Sequence, residues 1–101
     1  MRARIISSQG PAGNSAANTT AYATATPFAD IAGLPGFVSG YILVDPKSGK
    51  RVGFMLWDSQ GALAANEPRL AESRARTLER TGATLLSVED FDVVTQTSPR
   101  A

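Results

Sequence analysis

The chain has 101 residues, 43% of them hydrophobic, and its ten Lys and Arg residues against nine Asp and Glu residues give a formal net charge of +1. This length suits one domain with a hydrophobic core, and the balanced charge provides no basic surface of the kind that binds nucleic acid. The absence of cysteine and histidine excludes disulfides, thiolate chemistry, zinc or haem sites with histidine ligands, and Ser-His or Cys-His nucleophile pairs.

The sequence also shows no pattern typical of a membrane-spanning helix or a signal peptide. No apolar run approaches the roughly 20 residues of a membrane-spanning helix, and residues 1–6 lack the long apolar core of a signal peptide. Acidic and basic residues are interleaved over residues 67–80, as on a solvated helix face. We therefore expect a cytoplasmic protein with no nucleic-acid partner and no membrane partner.

The N-terminal third predicts a strand followed by a helical region. Residues 2–8 are rich in apolar residues and read as a short strand. Residues 12–26 are uncharged and dominated by Ala, Thr and Asn, which favours a helix, with a disordered linker as the alternative. Pro27 is expected to break or kink that region and to begin a second short helix over residues 27–32.

A β-hairpin follows, with strands over residues 37–44 and 51–58 joined by a Gly-containing turn at residues 45–50. Alternation places Phe37 and Tyr41 on one face of the first strand, and both faces of both strands carry apolar residues. A chain this short has too few helices to cover two sides of a sheet. A second sheet from an identical chain would cover the other side, so the pattern predicts a homodimer.

The C-terminal half predicts two helices and a strand. Residues 60–65 form a short helix capped by Asp58-Ser59, and residues 68–81 form a longer helix that Asn66 caps and Gly82 ends. The predicted apolar stripe of the longer helix consists of Leu70, Ala71, Ala75 and Leu78.

The last strand begins at residue 84, with an interruption predicted at Glu89-Asp90, where a bulge would let the strand resume at residue 91. The order β-α-β-β-α-β is that of the ferredoxin-like α+β fold. We expect a single domain over residues 1–96 and a polar C-terminal tail over residues 97–101.

Four short motifs of the hairpin region resemble the antibiotic biosynthesis monooxygenase-like domains of the dimeric α+β barrel superfamily. They are Leu34-Pro35-Gly36-Phe37, Gly40-Tyr41, Val44-Asp45-Pro46, and Leu56-Trp57-Asp58-Ser59 leading to Ala62-Leu63. The resemblance is best over residues 28–96. It implies two ferredoxin-like chains whose sheets meet to form a barrel. Members include monooxygenases that oxidise aromatic phenols or quinols without a cofactor, and haem-degrading enzymes whose axial histidine this chain lacks.

The resemblance also implies a pocket between the sheet and the helices. Trp57 alone falls on a matching motif, where the family residue lines the pocket and orients an aromatic substrate; core packing is the alternative. Asn66, Tyr41 and Phe37 are further candidates for substrate binding, with helix capping the alternative for Asn66 and core packing for the two aromatic residues. Arg69 or Arg74 could supply an arginine, with a solvated position on the helix surface as the alternative.

No catalytic residue is assigned from the sequence. The available bases are carboxylates such as Asp58 or Glu67, and no cofactor or metal is expected. Two functions remain open: a cofactor-independent monooxygenase that acts on a phenol- or quinol-type compound, and a non-catalytic dimeric module that binds a small hydrophobic ligand or serves assembly only.

Overall fold

The computed structural model describes residues 1–10 and 28–100. Six elements lie in these ranges: β1 (Arg2–Gln9), β2 (Phe37–Val44), β3 (Lys50–Trp57), α1 (Gln60–Ala65), α2 (Glu67–Thr81) and β4 (Thr84–Asp92). The helix predicted over residues 12–26 falls outside the described residues. The four strands form one antiparallel sheet in the order β2-β3-β1-β4. With the helices, this is the predicted ferredoxin-like α+β fold.

The turn between β2 and β3 follows from its sequence. Asp45 N donates to Lys50 O and Gly49 N donates to Asp45 O, each at 2.9 Å. Gly49 has a φ of 77°, a left-handed conformation that glycine adopts without steric cost. The Asp45 carboxylate accepts a hydrogen bond of 3.0 Å from Lys47 N within the turn. This local chemistry fixes the hairpin that forms one half of the sheet.

Both helices lie within one residue of the predicted bounds. Ser59 caps α1, and its Oγ accepts a hydrogen bond of 3.1 Å from Ala62 N. α2 begins with Glu67 and Pro68, an acidic residue and a proline at positions where both are favourable. Gly82 ends α2 with a φ of 69°, and its N–H donates to a carbonyl of the last turn.

A β-bulge at Val38 changes the side of the sheet on which Phe37 lies. The pairing of β2 with β3 shifts directly after Phe37, so Val38 has no partner on β3. Phe37 therefore lies opposite Trp57 on the helix side of the sheet, and Tyr41 lies on the other side. The expectation that Phe37 and Tyr41 share one face is wrong, because simple alternation does not count the extra residue.

The hydrophobic core lies between the helices and the helix side of the sheet. Trp57 is completely buried, and its ring meets that of Phe37 edge-on at a centroid distance of 5.4 Å. The other buried members of this core are Ile31, Met55, Leu63 and Leu70. Burial of side chains of this size contributes about 2 kcal/mol each, so the core fixes both helices against the sheet.

The opposite side of the sheet is apolar but exposed. We call it the outer sheet face; its large apolar residues are Ile5, Tyr41, Leu43, Val52, Phe54, Leu56 and Phe91, and Ser7, Ser39, Ser87 and Glu89 lie on the same side. Tyr41, Leu43 and Phe91 are 57%, 56% and 46% exposed. No helix among the described residues covers this face. The described part of the chain therefore leaves a largely apolar surface on this side of the sheet.

Two local predictions need correction. Residues 28–33 form consecutive turns, and Phe28 O accepts hydrogen bonds from Ile31 N and Ala32 N, so the expected helix over residues 27–32 is a single turn in its described part. Gly33 and Pro35 disfavour a continuous helix, and the chain goes on in further turns in which Leu34 N donates to Ile31 O and Phe37 N donates to Leu34 O.

In β4, Glu89 and Asp90 continue the strand without a bulge, and the pairing shift instead lies opposite Ser7 and Ser8. The strand continues through the acidic pair because Arg4, on the neighbouring strand, neutralises Asp90.

Candidate functional site

A cavity of about 50 Å³ lies between the helix side of the sheet and α2. Its floor includes Ile6, Ile42 and Gly53, which are direct neighbours across β1, β2 and β3. Other described parts of the wall come from the segment before β2 and from one side of α2. The described wall residues are Ile6, Ser8, Phe28, Ile31, Ile42, Gly53, Met55, Leu70, Ser73, Arg74, Thr77 and Leu78. Most of these side chains are apolar, so the cavity suits a small hydrophobic molecule.

Arg74 is the one charged residue among the described wall residues. Its Nη1 is buried and has no hydrogen-bond partner in the part of the chain that the structure describes. A buried guanidinium N–H without an acceptor is unfavourable by about 1–3 kcal/mol. An oxygen atom of a bound molecule would satisfy that N–H, and an anionic oxygen would do so best because the hydrogen bond would be charge-assisted.

The segment that carries Phe28 and Ile31 is tied to α2 through Asp30. Ser73 Oγ donates a hydrogen bond of 2.8 Å to Asp30 Oδ1, and the Arg76 guanidinium pairs with the other carboxylate oxygen. Partial burial raises the pKa of Asp30, but these two hydrogen bonds outweigh it and hold the pKa below its ordinary value of 3.8. The anionic carboxylate thus fixes one wall of the cavity against another.

Trp57 lies in the core beside the cavity and is not among its wall residues. Met55, its neighbour on the same face of β3, separates it from Gly53 on the floor. The Trp57 Nε1 is buried and has no hydrogen-bond partner among residues 1–10 and 28–100. Phe37 packs between Trp57 and Phe28, with ring centroids 5.4 and 6.4 Å away. Phe37 and Trp57 therefore pack against the wall residues from the core side and do not line the cavity.

Asn66 and Tyr41 lie away from the cavity. Asn66 Nδ2 donates to Ala62 O at 2.9 Å and to Pro35 O at 3.2 Å, and its side chain makes no capping hydrogen bond to α2. The amide therefore closes the carbonyl end of α1 rather than the start of α2. Tyr41 lies on the outer sheet face, where its ring contacts that of Phe54.

The two carboxylates considered as bases are also outside the cavity wall. Glu67 forms an ion pair with the buried Arg4, and Asp58 is exposed directly after β3. Of the two arginines considered, Arg69 is exposed and Arg74 lines the cavity. The structure thus brings one predicted charged residue to the cavity and separates the others from it.

Ser73 and Thr77 are wall residues that the sequence analysis missed. The predicted stripe of α2 included Ala75, which is exposed, whereas the side that faces the sheet carries Leu70, Ser73, Arg74, Thr77 and Leu78. These positions follow the spacing i, i+3, i+4, i+7 and i+8 of one helix face. Polar residues on an otherwise apolar helical stripe are the signal that would have identified them.

The described residues contain neither a group of side chains suited to a metal ion nor a helix that could span a membrane. No cluster of three or more Asp or Glu side chains suited to a metal ion occurs within residues 1–10 and 28–100. In the same part of the chain, no helix has the length and apolar character needed to cross a membrane.

Comparison with solved structures gives strong matches in fold. A protein from Deinococcus radiodurans assigned to the antibiotic biosynthesis monooxygenases superposes with a TM-score of 0.70 at 13% identity, covering 100% of both chains. The ActVA-Orf6 monooxygenase of Streptomyces coelicolor, solved with nanaomycin D, gives 0.70 at 20% identity over 98% of this chain and 92% of that one. SnoaB, a cofactor-independent oxygenase from Streptomyces nogalater, gives 0.62 at 22% identity over 98% of each chain.

Sequence comparisons add no closer relative. No protein-family profile matches the chain, and no curated protein matches it. The structural matches cover almost the whole chain at low identity, so they establish the fold. The resemblance seen in the hairpin motifs is confirmed at that level: the chain has the antibiotic biosynthesis monooxygenase-like fold.

Proposed function

We propose that the protein binds a small aromatic compound of the phenol or quinol type in the cavity beside α2 and oxidises it with O₂ without a cofactor. The observation that carries the proposal is Arg74, a wall residue of an otherwise largely apolar cavity, whose Nη1 is buried and has no hydrogen-bond partner among the described residues. Apolar walls favour an aromatic ring, and one guanidinium favours one oxygen substituent at the edge of that ring.

In the proposed reaction, the main role of the protein is to stabilise an anion of the substrate. Conversion of the ring CH para to a phenol hydroxyl into a quinone carbonyl by O₂, with water as the second product, takes all of its electrons from the substrate. The electron-rich species in such a reaction is the phenolate or enolate of the substrate. A positive charge close to the hydroxyl lowers the pKa of a bound phenol, so Arg74 would increase the fraction of substrate in the reactive form.

A non-catalytic binding module is the second candidate, and two observations favour it. The described cavity wall carries no carboxylate that could remove a proton from a substrate. Trp57, the residue expected to orient the substrate, is completely buried in the packed core. In this alternative the same phenol-type ligand binds beside Arg74 and leaves unchanged.

Substitution of Arg74 tests the site, and oxygen uptake tests the reaction. We expect the wild-type protein to bind 4-nitrophenol and to lower its pKa, seen as more of the coloured phenolate at a given pH. Arg74→Met should abolish this shift, because methionine keeps much of the apolar volume and removes the charge. Arg69→Met is the matched control, since Arg69 is an exposed residue of the same helix.

Oxygen consumption is then measured with a panel of phenols, quinols and anthrones. Uptake that depends on Arg74 supports the monooxygenase. Binding without uptake for any compound supports the non-catalytic module. Absence of any bound phenol and of any pKa shift would contradict the site itself.

We further propose that the protein is a homodimer that buries the outer sheet face. The exposed aromatic and aliphatic side chains of that face, led by Tyr41 and Leu43, support a partner of the same apolar character. Packing of two such sheets face to face would form a barrel. A cytoplasmic location remains a prediction.

A further inference from the structure

We propose that Gly53 sets the size of the aromatic ligand, an inference that rests on the proposed function of the cavity. Gly53 lies in the middle of β3 and forms part of the cavity floor. Glycine in the interior of a strand weakens it, because it loses more conformational freedom on folding and packs no side chain. A glycine at this position is therefore expected only where the surroundings favour the absence of a side chain.

The surroundings of Gly53 do not require glycine for the fold. Its φ is not among the positive values of the chain. A β-carbon added there would lie 3.6 Å from Ile42 Cδ1, 3.7 Å from Phe28 Cζ and 3.8 Å from Ile6 Cβ. These are ordinary van der Waals distances. Alanine would fit without strain, so the consequence of glycine is the space that it leaves empty above the floor.

Gly40, on the neighbouring strand, shows the opposite situation. A β-carbon there would lie 2.6 Å from Phe28 Cδ2 and 3.2 Å from Phe37 Cζ. Glycine at position 40 is thus explained by the close approach of the Phe28 ring to the sheet. Gly40 therefore allows the core to pack, and Gly53 leaves the cavity open.

The size of the cavity makes one methyl group important. A volume of about 50 Å³ corresponds to roughly four water positions at about 10–15 Å³ each. A methyl group is comparable in size to one water molecule, and it would project from the floor into this space. The alanine variant should therefore exclude larger rings while it still admits the smallest.

The test compares wild type, Gly53→Ala and Gly53→Val with phenol, 2-naphthol and 2-hydroxyanthracene, with Kd values from calorimetry. We expect Gly53→Ala to weaken binding of the largest compound that wild type accepts by roughly tenfold, as overpacking does, and Gly53→Val to weaken it more. Binding of phenol should change less than threefold. The melting temperature of Gly53→Ala should equal or exceed that of wild type.

Gly33→Ala is the matched control, since a β-carbon there would meet no described atom within 4 Å and Gly33 is not a described wall residue. Equal Kd values for Gly53→Ala and wild type across the series would overturn the inference and leave the proposed function standing. An equal loss for all three compounds, or an unfolded alanine variant, would also overturn it. If wild type binds no member of the series, the proposed function fails first and the inference with it.

Discussion

Ser73 Oγ donates a 2.8 Å hydrogen bond to Asp30 Oδ1, and this contact joins α2 to the turn that carries two wall residues of the cavity. Ser73 is itself buried, with 6% exposure. The pair connects segments 43 residues apart in the chain. A serine on the inner side of an amphipathic helix therefore holds the turn in place, where an apolar residue would only fill space.

We expect Ser73→Ala to lower the free energy of unfolding by about 1–3 kcal/mol, since a hydrogen bond to a partly buried carboxylate is lost. Loosening of the turn should also weaken phenol binding several-fold. Urea denaturation and calorimetry measure the two effects. Glu79→Ala, an exposed substitution on the same helix, should change neither. Full ligand affinity in a destabilised Ser73→Ala protein would show that the turn does not shape the cavity.

We expect Gly40→Ala to destabilise the protein by about 1–3 kcal/mol, because the new methyl group would collide with the ring of Phe28. In a Phe28→Leu background the same substitution should cost less, since the smaller side chain leaves room. A double-mutant cycle by thermal or urea unfolding measures this coupling. Additive effects of the two substitutions would show that the ring moves aside without cost.

We expect the ion pair of Arg4 with Asp90 to contribute stability that depends on pH. The hydrogen bonds from Arg4 are the main cause that lowers the pKa of Asp90 below its ordinary value of 3.8, with smaller contributions from Arg2 and Arg74. A carboxyl group with a lowered folded-state pKa stabilises the fold above its unfolded pKa, and this stability is lost as the pH falls through the folded pKa.

Asp90→Asn should therefore lower the free energy of unfolding at pH 7 by about 2 kcal/mol and reduce its decline below about pH 4. Urea unfolding at a series of pH values provides the measurement. Glu79→Gln is the control, because Glu79 is exposed on α2. An acid decline in Asp90→Asn as steep as that of wild type would assign the pH dependence to other groups.

We expect Leu43→Asp to convert the proposed dimer to a monomer of 10.6 kDa. A charged side chain in the middle of an apolar interface is buried without a partner and costs several kcal/mol. Light scattering at micromolar concentration shows the change. Ala75→Glu, an exposed substitution on α2, should remain dimeric. A monomeric wild-type protein would contradict the proposed homodimer itself.

The sequence was most informative where local chemistry decides the structure. The turn at residues 45–50, the Ser59 cap and the Gly82 helix end each depend on neighbouring residues, and each was predicted. Apolar residues on both sides of the hairpin strands are also evident in the sequence. In the structure, one of these sides packs against the helices and the other is the exposed outer sheet face.

The cavity wall was less predictable because its residues come from distant parts of the chain. The bulge at Val38 depends on pairing with β3, and the contact of Asp30 with Ser73 depends on tertiary packing. Arg74 lies four residues from both Leu70 and Leu78, so helical periodicity favours it over Arg69 for the inner side of α2. The presence of a cavity at Arg74 depends on the packing of α2 on the sheet, which the sequence does not show.

The bulge at Val38 has a consequence for insertions and deletions in this chain. The extra residue brings Phe37 to the helix side while residues 39–44 keep their pairing with β3. Deletion of Val38 would remove the bulge and leave Phe37 opposite Trp57 and Ser39 opposite Leu56, so the remaining residues of β2 would keep their sides of the sheet. A single-codon loss at Val38 would therefore preserve both surfaces of the strand, whereas the loss of a paired residue such as Ile42 would exchange the inner and outer sides of one part of β2.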